Sequence, residues 1–197
     1  MLNSGGQSKA GPAILLLLFS LMAASCNLGG NSGLDEANQL DQSAGEDIRE
    51  IERLVLENKD KEGAVTRARN AGDYDEARRL MDDSVQAIDR GLEKAQSAAD
   101  KLDKASRLDV NPTIKEYLAL RAQSAGKAIE AMRELRRGVI TYRDSTGSAD
   151  KAAIEKGKNE TQQSFEKYEK LIGEADKLQR QADEIARRNP DTIKPGR

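Results

Sequence analysis

Four groups of residues have the types and spacing to do chemistry. Asn58, Asp60, Glu62 and Gly63 fall at positions 1, 3, 5 and 6 of a calcium-loop pattern, with Val65 at the apolar position 8. Position 12, where a bidentate carboxylate closes such a loop, is Arg69, so a solvated charged turn is the expected structure. Asp82 and Asp83 are adjacent carboxylates, but neighbours on a helix point in different directions, which gives them no common substrate. Arg133, Arg136, Arg137 and Arg143 gather near the end of a helical stretch, where they form a possible contact for an anion or an acidic partner. The same cations complement a helix C-terminus and could pair with an acidic neighbouring helix, which is the favoured expectation. The fourth candidate is Cys26, the only cysteine.

The missing residue types exclude more than these four groups suggest. The 197-residue chain has no His and no Trp. It therefore has no imidazole base, no Ser-His-Asp or Cys-His nucleophile, and no Glu-x-x-His pair for a di-iron bundle. A single Cys cannot form an internal disulfide or a cysteine cage for zinc or iron–sulfur. With 32 basic and 34 acidic residues the chain is slightly acidic, whereas a general nucleic-acid binder needs a basic excess against phosphate. No enzyme activity, cofactor, metal or nucleic-acid partner is expected.

The surroundings of Cys26 are specific. Residues 1–12 are small and polar with one charge, Lys9, and residues 13–22 then run apolar through Ile14, Leu15, Leu16, Leu17, Leu18 and Phe19. Such a run is shorter than the roughly 20 residues a bilayer core requires, so it reads as an export signal rather than a permanent span. It ends in Ala23-Ala24-Ser25-Cys26. These residues resemble the lipobox of bacterial lipoproteins, with Ala23 and Ser25 as conservative departures from the usual Leu and Gly or Ala. The resemblance covers only about the first 27 residues. It implies cleavage before Cys26 and lipid on the Cys26 sulfur, leaving a mature chain of 31 basic and 34 acidic groups, net −3. It also implies a membrane-anchored protein of the cell envelope, outside the cytoplasm. In enteric-type diderm cells, Asp after the lipidated Cys retains a lipoprotein at the inner membrane, and Asn27 here implies the outer one.

The domain organisation follows: a signal peptide over 1–25, a lipidated Cys with a Gly- and Asn-rich linker over 26–33, a helical domain over 34–189 and a loose tail over 190–197. Beyond the linker Pro occurs only at 112, 190 and 195, which leaves long stretches of helix formers. Leu34, Ala37, Leu40, Ala44, Ile48, Ile51 and Val55 step by three and four and define a first helix to about 70, weakened or kinked near Gly63. Positions 77, 81, 84, 88, 91, 95, 98, 102 and 105 form an unbroken heptad seam on the second helix, small at every seventh residue. Those small residues predict close approach of a neighbouring backbone. Asn111-Pro112 starts a third helix, and a fourth runs from about 149 to 189 with Gly157, Ser164, Leu171, Leu178 and Ile185 on one of its two lines. Short turns force antiparallel neighbours, so the expected fold is all-α, an elongated up-and-down bundle of about four helices with coiled-coil-like packing.

Function is read less sharply. A lipid-tethered, non-enzymatic scaffold binding another protein or an envelope polymer leads. The alternative is a sensory or small-ligand-binding bundle with a cavity lined by Tyr117, Tyr142 or Tyr168 and an Arg. Gly72-Asp73-Tyr74-Asp75-Glu76-Ala77 also resembles the inter-helix turn of a tetratricopeptide repeat, which implies an adaptor, although no second copy follows at about 34 residues.

Overall fold

The computed structural model describes residues 32–193. Cys26, its signal and the linker up to residue 31 lie outside the described residues, whereas Ser32 and Gly33, expected in the linker, already belong to the first helix. The rest forms α1 (Ser32–Asn70), α2 (Tyr74–Ser106), α3 (Pro112–Ser145) and α4 (Lys151–Arg188), with no strand among the described residues. At 1.5 Å per residue these helices are about 50 to 60 Å long. Side-chain caps begin three of them: Asp73 accepts from the Glu76 amide at 3.1 Å, Asn111 from Thr113 at 2.8 Å and Asp150 from Ala152 at 2.8 Å. Gly72 and Gly147 take φ of 77° and 74°, the left-handed geometry that lets the chain reverse after α1 and α3.

α1 continues as helix through Gly63, so neither a calcium loop nor a charged turn forms there. Good helix formers on both sides carry the single Gly, whose cost is only about 1 kcal/mol. The side chain of Asp60 lies outside the described set.

Close packing follows chain order, α1 on α2, α2 on α3, α3 on α4, while α1 and α4 are not closely packed along their length. At one pole all four helices share a core: Ala37, Ala44 and Ile48 meet Leu102, Ala105, Ile114, Tyr117, Leu118, Ala182 and Ala186. Ile193 is wholly buried there, held by a turn in which its amide donates to Asn189 O at 2.8 Å. The described part of the tail is therefore packed, not loose. At the other pole a smaller cluster of Val65, Ala77 and Met81 draws only on the first three helices.

The heptad seam of α2 is interior at Ala77, Met81, Gly91, Ala95, Ala98, Leu102 and Ala105, with Ser84 and Ile88 half-buried. The closest approach of one helix to another, however, is elsewhere, and the closest approach to any backbone is at the start of α1, where a methyl on Gly33 would lie 2.9 Å from the Asp109 carbonyl oxygen in the α2–α3 turn. A methyl on Gly91 would meet only the mobile end of Met132, at 2.6 Å. One on Gly157 of α4 would lie 2.4 Å from Ser145 Cβ and 3.7 Å from Thr141 O on α3, and Gly138 sits similarly against Ser164 and Thr161. The tight pair is α3 with α4. The buried line of α4 also departs from the expected one, passing through Ile172, Gln179 and Ala186 in place of Leu171, Leu178 and Ile185. A 3.6-residue helix drifts against a 3.5-residue repeat, and over 38 residues the packed stripe slips by one position. On α1, Val55 is exposed and Asp41, Asp47 and Leu54 are buried instead.

Ala98→Leu should overpack the seam and cost about 1 to 3 kcal/mol, while Leu at exposed Glu93 costs almost nothing. Gly157→Ala should destabilise more than Gly91→Ala, because Ser145 Cβ cannot swing aside as the Met132 methyl can. Urea and thermal unfolding of the four variants checks both orderings.

Candidate functional site

The four arginines singled out by the sequence line the upper half of α3, and three are committed to the protein's own groups. Arg136 Nε donates to Asp89 at 2.5 Å, and Arg143 Nη1 to Asp82 at 2.6 Å. Both acids belong to α2, not to the acidic α1 that the charge counts favoured. The reason is register: these arginines lie on the face of α3 that meets α2, whose acids recur every seven residues at 82 and 89. Arg137 Nε donates to Ser164 Oγ on α4 at 3.1 Å and pairs with Glu134. Arg133 is exposed. Asp83 pairs with Arg79 at 3.3 Å, so the two adjacent aspartates serve different partners.

The aromatic residues named as cavity lining are also engaged. Arg69 stacks over the Tyr142 ring at 4.8 Å. Tyr117 is buried, and its neighbour in the interior is Arg121, whose guanidinium carbon lies 5.5 Å from the ring centre. Tyr168 is half-buried, and its hydroxyl is shifted above its ordinary value by burial, with Glu169 adding to the effect. A shallow groove between α2 and α3, floored by Ala99, Ala119 and Ala122 and rimmed by Asp100 and Asp103, is open to solvent on the outside of the bundle. Its rim acids are occupied, Asp103 by Arg107 at 2.6 Å and Asp100 by Gln96 at 2.9 Å.

The most unusual constellation was not read from the sequence. Asp41 of α1 and Arg121 of α3 form an ion pair with side chains 2% and 1% exposed. Arg121 Nη1 also donates to the Tyr117 hydroxyl at 3.3 Å. Asp41 Oδ2 accepts no hydrogen bond among the described residues. Burial pushes the Asp41 carboxyl up to about 6, and the charge and hydrogen bond of Arg121 pull against that rise without cancelling it. Ser124 Oγ donating to Ala175 O at 2.8 Å sets the α3–α4 register, which places Gln179 at the level of Arg121. A signal was present. Asp41 continues the step from Ala37 to Ala44 and Ile48, and Arg121 the step from Ile114 and Leu118 to Ala125, so each is a charge standing on an apolar stripe.

One turn and a half further along α1, Asp47 gathers Lys101 at 2.5 Å, Ser97 at 2.6 Å and Lys94 at 3.2 Å, all on α2. Desolvation pushes its carboxyl up, but the three hydrogen bonds together outweigh it and hold Asp47 below the usual carboxylate value. The two buried aspartates of α1 are thus tuned in opposite directions.

Among the described residues no three His, Cys, Asp or Glu side chains converge on a point that could hold a metal ion, and no helix is long and apolar enough to cross a membrane. Comparison with known proteins finds no matching family model, no matching curated protein and no matching solved structure.

Arg121→Met should cost about 3 to 5 kcal/mol at neutral pH, because it strands a buried carboxylate, and the loss should shrink as pH falls and Asp41 takes up a proton. Asp41→Leu with Arg121→Met should recover most of the loss. Urea unfolding at pH 5 and pH 7.5 reads both effects. Arg136→Ala removes a pair that is about 40% exposed on each side and should cost only about 0.2 to 1 kcal/mol in the same assay.

Proposed function

We propose that the protein is a lipid-tethered, non-enzymatic helical bundle of the bacterial cell envelope, anchored through Cys26, whose outer surface binds another protein or an envelope polymer. The observation that carries this reading is Ala23-Ala24-Ser25-Cys26 directly after an apolar run and directly before a Gly- and Asn-rich linker. The fold is compatible with it: α1 begins at Ser32, six residues after Cys26, so a lipid on that Cys would hold the bundle close to a membrane surface. The engagement of the tyrosines that would line a cavity favours a scaffold over a small-ligand binder. Tyr117 and Tyr142 are stacked with Arg121 and Arg69 in places where a cavity would need them facing open space. The helices of α1 to α4, 33 to 39 residues each, are also much longer than a 34-residue helix–turn–helix repeat allows, which counts against the adaptor reading.

Several acyl methylenes at about 0.8 kcal/mol each make lipid attachment effectively permanent once two or more chains are present. Cys26→Ser should therefore abolish labelling by a fatty-acid probe and release the protein from sedimenting membranes. A Cys26→Ser protein that remains labelled and membrane-bound overturns the anchor. Sucrose-gradient fractionation of the wild-type protein should place it in the outer membrane of a diderm host, and cross-linking in intact cells should then yield a defined adduct on the bundle surface. Absence of any adduct from cross-linkers spaced over all four helices counts against the scaffold.

A further inference from the structure

We propose that α1 is a separable arm that leaves the α2–α3–α4 array as a unit, and that the ionisation of Asp41 sets how tightly it is held. Along most of their length the helices pack closely on their neighbours in the chain, so α1 is an outer helix resting mainly on α2, and it meets α3 and α4 in the shared core at one pole. Its departure breaks no packing between the other three. α1 reaches past α2 to α3 through apolar contacts in the shared core, through Arg69 over the Tyr142 ring, and through the buried pair of Asp41 with Arg121. Of these the ion pair is the titratable one, and one of its carboxylate oxygens is left without a hydrogen bond among the described residues.

The rest of α1 is held unevenly. Below its midpoint Ala37, Ala44 and Ile48 are in the shared core, and Asp47 is bound by Lys94, Ser97 and Lys101. Above it, Val55 and Leu56 are 43% and 54% exposed, and Asn58 Oδ1 is buried with no hydrogen-bond donor among the described residues. Glu52 and Glu62 are pushed up by burial, and neither has an ion-pair partner among the described residues. Buried polar groups that go unsatisfied favour the undocked helix, where water satisfies them.

The groups that face Asp41 are few. From α3 come Arg121 and the Tyr117 hydroxyl. At the same level α2 supplies apolar Leu102, and the cations on either side of it, Lys101 and Lys104, are committed to Asp47 and Glu36. On α4 the register brings neutral Gln179, whose amide donates to Asp183 at 2.8 Å. Arg121 is therefore the charge that opposes desolvation of Asp41.

The sign follows from linkage. The carboxyl titrates at about 6 in the docked helix and near its ordinary 3.8 when α1 is free. The docked state binds the Asp41 proton more tightly, so the Asp41 contribution to docking is greatest below about pH 4, weakens as pH rises to about 6 and is level above that, while the opposite contribution of Asp47 falls away only below its ordinary value of 3.8. Between pH 5 and pH 7.5 the population of the released arm should rise about tenfold from Asp41 alone. Glu52 and Glu62 shift in the same direction and add to the trend.

Native-state hydrogen exchange of the full chain in detergent, read by mass spectrometry and corrected for the intrinsic pH dependence of exchange, tests this. Amides of residues 37–68 should open together, at lower free energy than those of α2, α3 and α4, and the opening should grow about tenfold or more from pH 5 to pH 7.5. Asp41→Asn should remove about tenfold of that dependence, while Glu52→Gln with Glu62→Gln should leave at least the Asp41 share in place. If α1 exchanges only with the other helices in one global step, the separable arm is overturned. If Asp41→Asn keeps the full wild-type pH dependence, Asp41 is not the controlling group. The wild-type comparison needs no variant, so a poorly folded substitution does not decide the outcome.

Discussion

A shortage of large apolar side chains governs this structure. With no Trp, two Phe and four Tyr, and a core dominated by Ala, each interior contact buries little area, and the hydrophobic contribution scales with that area. Such a core can be filled only by bringing helices close together or by burying something that is not apolar. Both occur. Gly138 and Gly157 let α3 and α4 approach until an added methyl would crowd Ser164 at the first and collide with Ser145 at the second, which replaces side-chain volume by close helix contact. Where all four helices converge, the largest fully buried side chain is Arg121, and its long aliphatic stem occupies space that a Leu-rich bundle would fill with hydrocarbon.

Burying that guanidinium obliges the protein to bury its counter-charge, and Asp41 is therefore tied to Arg121 across the core. A buried pair of this kind adds little to stability compared with a matched apolar pair, but it penalises any register in which the two charges do not meet. On helices whose seams repeat Ala every seventh residue, a slip by one heptad would otherwise leave the packing nearly unchanged. The same logic extends outward. Asp47 with Lys94 and Lys101 fixes α1 on α2, Asp82 and Asp89 with Arg143 and Arg136 fix α2 on α3, and Lys127 with Glu174 at 3.3 Å helps fix α3 on α4.

Much of the fold could be read directly from the chain. The absence of Pro from the helix interiors, the Asp73 and Asn111 caps, the turn glycines and the α2 heptads give four antiparallel helices with ends near the observed ones. What periodicity could not give was the neighbour of each face. Small residues on α2 suggested the closest contact there, but a stripe of small residues states only what a helix permits, and the actual approach needs small residues on both partners, as at Gly138 and Ser164. Asp41 and Arg121 escaped for a related reason. Counting only apolar positions on the stripes discards the charged residues that stand on them, although their positions at 41 and 121 match the step as well as Ala37 or Leu118 does. The assignment of Arg136 and Arg143 to α2 rather than α1 likewise depended on which acids share their level, not on which helix carries more of them.

An even number of antiparallel helices returns the chain to the pole where it started, and Ile193 is buried in the same cluster as Ala37. A pulling force transmitted through the two ends of the described chain would thus act on adjacent points. It would load the outermost contacts one after another, as in opening a zip, rather than shearing whole helices past each other. Under such a load the response depends on the barrier at each successive contact, not on the total stability. The bundle would be mechanically soft along the line joining its ends, yet stiff against forces applied across the paired turns at the far pole, where Arg78 reaches Thr146 O at 2.6 Å and Tyr74 rests on Gly147.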